Sequence, residues 1–309
     1  MKKNALLVIG NGFDVACGYK TRYSDFYEND EKELKIAADK GNELCQSILA
    51  NDKNKYNWSD LESGLYNYSL ALTQKYGEGN KVVANKFRKD FIELRELLYK
   101  YLKGVYEAIH SAADSSFMRT LYREWEKLSP TIFSFNYTPI AFLEDPKYDE
   151  IFRNAQQSGK SRFLFQHGAI ANVMEGGYYS ANQLVLGIDE ITQKVEDLHS
   201  FLYKSMQNTI SNNQIADSIH NSDIIIIFGC SMGYSDYWYF NQIFNTPQTG
   251  KTYLLYTHSY DGFNSLLDKV RLFSGNLANF KRDNSLNIII TNNTNQALAQ
   301  TQQIINSFI

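Results

Sequence analysis

Proline and cysteine are both scarce in this chain, four and three among 309 residues. Few prolines leave long helices and strands uninterrupted. The three cysteines, Cys17, Cys45 and Cys230, stand far apart and form no C-x-x-C pair. That excludes a cysteine zinc knuckle, and it predicts a reducing compartment, the cytoplasm, with no metal bound. The five histidines show no H-x-x-x-H spacing either. A basic surplus is also missing: 31 Lys and Arg stand against 34 Asp and Glu, for a net charge of −3. This disfavours a nucleic-acid surface. No apolar run is long enough to cross a bilayer, so no membrane partner is expected. The apolar run after Met1-Lys2-Lys3 is too short for a signal core and leads into GNGFD instead of a cleavage site.

What is present is an ordinary folded composition, 43% hydrophobic and 21% charged, rich in Tyr (22) and Phe (19). The stretch NALLVIGNGFD, residues 4–14, sets the frame. Its continuous apolar run predicts a strand buried on both faces. Gly10 and Gly12 then allow a sharp turn and close approach of a ligand to backbone. A helix starting there would aim free N–H groups at a phosphate. The dinucleotide fingerprint is incomplete, since its third glycine position is Val15. The plain alternative is a tight turn with Asp14 capping a helix.

After this turn, Thr21 or Ser24 caps an expected helix running to residue 50 through Phe26, Leu34, Ile36 and Leu44. A polar break at 51–57 precedes WSDLE, where Ser59 and Glu62 have capping-box spacing. Leu61, Leu65, Tyr68 and Leu72 follow a helical period that ends at Gly77 and Gly79. Val83 to Val105 and Phe117 to Leu128 continue in steps of three or four. Residues 21–128 therefore read as a helical insertion, and 1–20 with 129–309 as an α/β nucleotide-binding core. In that core, strands are expected at 130–135, 162–166, 183–187, 223–228, 252–257 and 286–291. Helices are expected at 198–219, 236–244, 261–273 and 296–308. Pro139 marks the end of the second strand as a loop. The alternation predicts a Rossmann-like, mostly parallel sheet with helices on both faces.

Four of these strands end in chemically specific residues: GNGFD, FNYT, HG and GCSMG. In an open parallel sheet such ends share one rim, where ligands bind at the switch in strand order. Each ending also has a plain reading. Asn136 suits an Asx turn, and His167 suits a bond to a backbone carbonyl.

The chain resembles the AbiH family of bacteriophage abortive-infection proteins. The likeness rests on GNGFD, TRYSDF (21–26), WSDLE (58–62), FNYT (135–138), His167-Gly168 and Gly229-Cys230-Ser231, in that order over nearly the whole chain. More distantly, the strand endings resemble the Sir2-like NAD-binding fold, although the first turn differs from the Sir2 pattern and the four-cysteine zinc module is absent. The resemblance implies phage defence through binding NAD, or a related nucleotide, and hydrolysing it to nicotinamide and ADP-ribose. Asn136 and His167 would be catalytic. Asn136 would hold a ribose hydroxyl and the water, and His167 would accept a proton near neutral pH. Gly10, Asn11, Gly12 and Phe13 would form the turn under the pyrophosphate, with Asp14 on ribose hydroxyls. Gly229 and Ser231 would bind the adenosine half. Glu62, Tyr137 and Asp189 are further pocket candidates.

Partners by this reading are a nucleotide ligand, a phage-derived trigger and, in an assembly, further copies of the chain. Two alternatives stay open: a nucleotide sensor that binds without cutting, and a nucleic-acid-directed toxin such as a nuclease.

Overall fold

The computed structural model describes residues 3–50, 58–109, 116–138, 163–172, 177–178, 181–207, 212–245, 247 and 249–309. Pro139, Arg162 and the polar break at 51–57 lie outside them, as do the side chains of Ser59 and Asp60.

Six parallel strands form one sheet. They are β1 (Ala5–Ile9), β2 (Thr131–Ser134), β3 (Phe163–Phe165), β6 (Ile224–Phe228), β7 (Thr252–Thr257) and β8 (Ser285–Ile290), in the order β3-β2-β1-β6-β7-β8. A separate two-stranded hairpin joins β4 (Ala171–Asn172) to β5 (Gly177–Tyr178). The chain builds outward from β1 in one direction, then restarts beside β1 at β6 and builds the other way. This is the doubly wound, Rossmann-like arrangement, with its switch point between β1 and β6.

The apolar runs explain the sheet's position. β1 and β6 are buried at every residue, as strands covered on both faces must be. Their period of two sorts side chains into two cores. Leu7, Ile9, Ile226 and Phe228 pack with the helices between β1 and β2 and with the helix Thr294–Asn306. Leu6, Val8, Ile225 and Ile227 pack on the other face with Phe240, Ile243 and Phe273.

Between β1 and β2 come α1 (Asn11–Ala16), α2 (Tyr23–Asp39), α3 (Glu43–Ala50), α4 (Trp58–Tyr76), α5 (Lys81–Ile109) and α6 (Ser116–Glu126). Phe87, Phe91, Leu94, Leu98 and Leu102 give α5 its continuous buried stripe. Trp125 of α6 ties this layer to the sheet, donating Nε1–H to the Tyr256 hydroxyl at 3.1 Å.

Several expectations need correction. The single helix expected from 21 to 50 is two, because Gly41 takes φ +96 and Asn42 caps α3 by accepting the Cys45 N–H at 2.8 Å. The expected strand at 183–187 is not one. Its backbone groups are satisfied elsewhere: Val185 N–H by the His167 carbonyl, the Val185 carbonyl by the Tyr137 hydroxyl, and both Leu186 groups by Gln207. Of the helix expected at 198–219, the described residues form a 3-10 turn (Asp197–Leu202) and helices Lys204–Gln207 and Asn212–His220, while 208–211 lie outside them. A helix at Leu277–Asp283 follows Tyr260–Ser274 and was not expected.

Candidate functional site

The carboxyl ends of β1, β2, β3 and β6 meet on one rim at the switch point. There they enclose a cleft of about 330 Å3, lined by Gly10–Gly12, Asp14, Thr21, Arg22, Glu62, Asn136–Thr138, His167, Gly229–Met232 and Asp236 among others. Its size is in the range of small-molecule sites.

The glycine turns touch each other. Gly12 N–H donates to the Gly229 carbonyl at 2.9 Å, and a Cβ on Gly12 would stand 2.6 Å from Gly229 Cα. Gly229 itself has φ +70, and a Cβ there would stand 2.3 Å from the Phe13 nitrogen. The phosphate cradle expected of this turn loses three of its donors. The N–H groups of Gly10, Gly12 and Phe13 are spent on the carbonyls of Phe228, Gly229 and Gly10. Asn11 lines the cleft, and its Oδ1 accepts the Thr21 hydroxyl at 2.6 Å. Phe13 does not line the cleft. Its ring is fully buried against Trp125 and Phe228, because the first turn of α1 rolls its apolar side chain inward.

Asp14 and Asn136 form a buried pair below the turn, 2% and 3% exposed. Asp14 Oδ1 accepts from Asn136 Nδ2 at 2.8 Å, and Oδ2 accepts from the Thr138 hydroxyl. Burial pushes the Asp14 carboxyl up to about 7, against the pull of hydrogen bonds from Thr138 and Asn136. The other end of the Asn136 amide, Oδ1, is buried with no hydrogen-bond partner. Orphaned buried acceptors are uncommon in folded proteins and ask for a ligand or water.

His167 follows β3 by two residues. Its ring lies 5.4 Å from that of Phe135 and 5.8 Å from that of Tyr137. Its Nε2 is 3.1 Å from Asp236 Oδ1. Behind it sits Lys204, with Nζ 2.8 Å from the same Asp236 oxygen and 2.7 Å from Glu62 Oε1. Burial would raise the Asp236 carboxyl, but Lys204 and His167 outweigh it and hold the group below its ordinary value. Burial would likewise lower Lys204, and the charges of Asp236 and Glu62 keep it above. Nε2 of His167 is also 3.3 Å from Lys204 Nζ. One nitrogen cannot donate to Asp236 and accept from Lys204 together. The carboxylate is an acceptor only and is the nearer partner, which favours the proton on Nε2 and leaves Nδ1 as the ring's acceptor.

Asp189 does not line the cleft, contrary to expectation. Its oxygens accept the N–H groups of Ile191 and Trp238 at 2.7 and 3.2 Å, anchoring a loop to the first turn of Tyr237–Phe244. Tyr137 and Glu62 do line it, as do Gly229 and the exposed Ser231.

Three residues escaped the sequence reading. Asp236 lies five positions after Ser231, and its only signal is nearness to GCSMG. Lys204 has no local signal. Arg22, exposed at the start of α2, is the one residue with a permanent positive charge among the described residues lining the cleft. Among the described residues, no group of three or more His, Cys, Asp or Glu is arranged to hold a metal. Nor is any helix among them long and apolar enough to cross a membrane.

A search of curated proteins finds no match. The model of the family described as "Bacteriophage abortive infection AbiH" matches residues 6–258. That span holds all four strand ends that build the cleft, together with Glu62, Lys204 and Asp236. The chain belongs to the AbiH family of bacteriophage abortive infection proteins.

Proposed function

We propose that this abortive-infection protein binds NAD or a closely related nucleotide in the rim cleft and hydrolyses its N-glycosidic bond to give nicotinamide and ADP-ribose. The observation that carries the reading is Asn136, which lines the cleft and whose side-chain oxygen is buried without a partner. Such an acceptor suits a ribose hydroxyl. A cleft at the switch point of a doubly wound sheet is where nucleotides bind in this architecture. The distant Sir2-like resemblance of the strand endings supports the same choice of ligand.

The chemistry asks little of an acid. The C1′–N bond breaks and its electron pair stays on the nicotinamide nitrogen, which becomes neutral. The sugar passes through a cation-like state, as in other glycosyl transfers. A water oxygen then bonds to C1′ and loses a proton. His167 accepts that proton through Nδ1, while Asp236 holds Nε2–H and steadies the imidazolium.

The test is purified protein incubated with NAD, with nicotinamide release followed by chromatography. Asn136→Ala and His167→Ala should each cut release by about 10²-fold or more while keeping the wild-type circular dichroism spectrum. A double variant that still releases nicotinamide at the wild-type rate would remove both residues from the mechanism. Binding of NAD by the wild type with no release would leave a nucleotide sensor in place of a hydrolase.

A further inference from the structure

We infer that Asp14 is a positioning residue that turns the Asn136 amide so that the cleft meets a hydrogen-bond acceptor, and that the ligand group placed there is a hydroxyl donor. The inference rests on the ribose reading above and specifies how that ribose is recognised.

The argument begins with the two ends of one amide. An Asn side chain presents a donor at one end and an acceptor at the other, and the two can exchange by rotation. Here one end touches a carboxylate. Asp14 Oδ1 stands 2.8 Å from Asn136 Nδ2, and above about pH 7, once the carboxyl has ionised, it accepts only and the NH2 end must face it. The Thr138 hydroxyl occupies the second oxygen of Asp14. The Asn136 backbone is pinned as well, its N–H donating to the Ser134 hydroxyl oxygen at 3.1 Å. The amide therefore has one favoured orientation, and Oδ1 is left over, buried and unpartnered. An oxygen in that position attracts a hydroxyl or N–H and rejects a phosphate oxygen, a carboxylate or a fluorine. A wall that hydrogen-bonds a hydroxyl discriminates strongly against a group that cannot donate.

Asp14 was expected to bind ribose hydroxyls itself. Its two oxygens hold the Asn136 NH2 and the Thr138 hydroxyl, and in this inference it acts through Asn136.

The experiment measures equilibrium binding of nicotinamide riboside and of its 2-fluoro and 3-fluoro ribose counterparts by calorimetry above about pH 8, where Asp14 is ionised. Fluorine matches a hydroxyl in size but cannot donate. Wild type should bind one of the fluoro compounds at least about tenfold more weakly than the riboside. Asp14→Asn keeps an oxygen for the Asn136 NH2 and should keep that ratio. Asp14→Leu frees the amide to turn, and the ratio should fall toward one. Loss of packing alone would weaken all three ligands together and leave the ratio unchanged. Asn136→Leu, which removes the acceptor, should also bring the ratio near one and serves if Asp14→Leu does not fold. Equal binding of all three ligands by the wild type would overturn the inference even if nicotinamide release stands. Full discrimination in Asp14→Leu, or in Asn136→Leu, would overturn it too. No binding of the riboside at all, with no release from NAD, would take down the inference and the proposed function together.

Discussion

Gly12 and Gly229 are in backbone contact across the switch point: the N–H of one donates to the carbonyl of the other at 2.9 Å, with no room for a Cβ between them. The glycines of GNGFD are thus explained by the packing of two strand-end turns before any ligand is considered. Gly12→Ala should destabilise the fold by roughly 3 kcal/mol or more, since the obstacle is backbone and cannot rotate aside. Gly229→Ala adds a left-handed conformation costing about 1–2 kcal/mol for a residue with a Cβ. Urea midpoints check this. Were Gly12→Ala to melt like wild type while losing only ligand affinity, the glycine would be there for the ligand.

Much of the site is legible in the sequence because its parts are local. Each rim motif is an apolar run closed within two residues by a glycine turn or a polar side chain, so strand and chemistry are read together at Ile9-Gly10, Phe135-Asn136, Phe165-Gln166-His167 and Phe228-Gly229. The charge network is not legible in this way. Lys204 meets Glu62 and Asp236 across 142 and 32 positions of sequence, a distance no window spans. The false strand at 183–187 fails for a related reason. Its apolar residues are buried as expected, but distant side chains, Tyr137 and Gln207, take the backbone bonds that a ladder would have made.

Asp14 should give stability an unusual pH dependence. Its carboxyl is raised in the folded state from 3.8 to about 7. Below about pH 4 folded and unfolded chains both hold the proton. As pH rises from about 4 to 7 the unfolded chain releases it and the folded chain does not, so stability falls, and the fall ends once the folded group ionises. Asp14→Asn carries no charge at any pH. Its stability relative to wild type should therefore increase by about 2–3 kcal/mol between pH 5 and pH 8. Denaturant titrations at both pH values measure this, and a difference that stays constant would contradict the buried, proton-holding carboxyl.

Lys204→Met should leave Glu62 and Asp236 buried in a site without its cation. Removing one partner from a buried ionic cluster costs about 3–5 kcal/mol. Asp236 is held below its ordinary range in the folded state, so this contribution is present above about pH 4 and lost in acid. The penalty should shrink as pH falls through that point. Adding Glu62→Gln should restore part of the loss, because one uncompensated charge is removed; strict additivity of the two substitutions would argue against a shared cluster.

Arg22 is the expected partner of the ligand's phosphates. The turn beneath the cleft has no N–H to offer from Gly10, Gly12 or Phe13. The acids Glu62 and Asp236 line the same cleft, and Lys204 is already committed to both. The exposed Arg22 guanidinium at the start of α2 is the one permanent positive charge among the described residues lining the cleft, and its fork geometry matches phosphate oxygens. Arg22→Gln should weaken ADP-ribose binding by about tenfold or more, an amount in line with a charged hydrogen bond of about 1.5–3 kcal/mol. Binding of nicotinamide riboside, which has no phosphate, should be unchanged. Salt should separate the two ligands in the same way, because an exposed ion pair is screened while a buried hydroxyl contact is not. If Arg22→Gln weakens both ligands equally, Arg22 shapes the cleft and does not read charge.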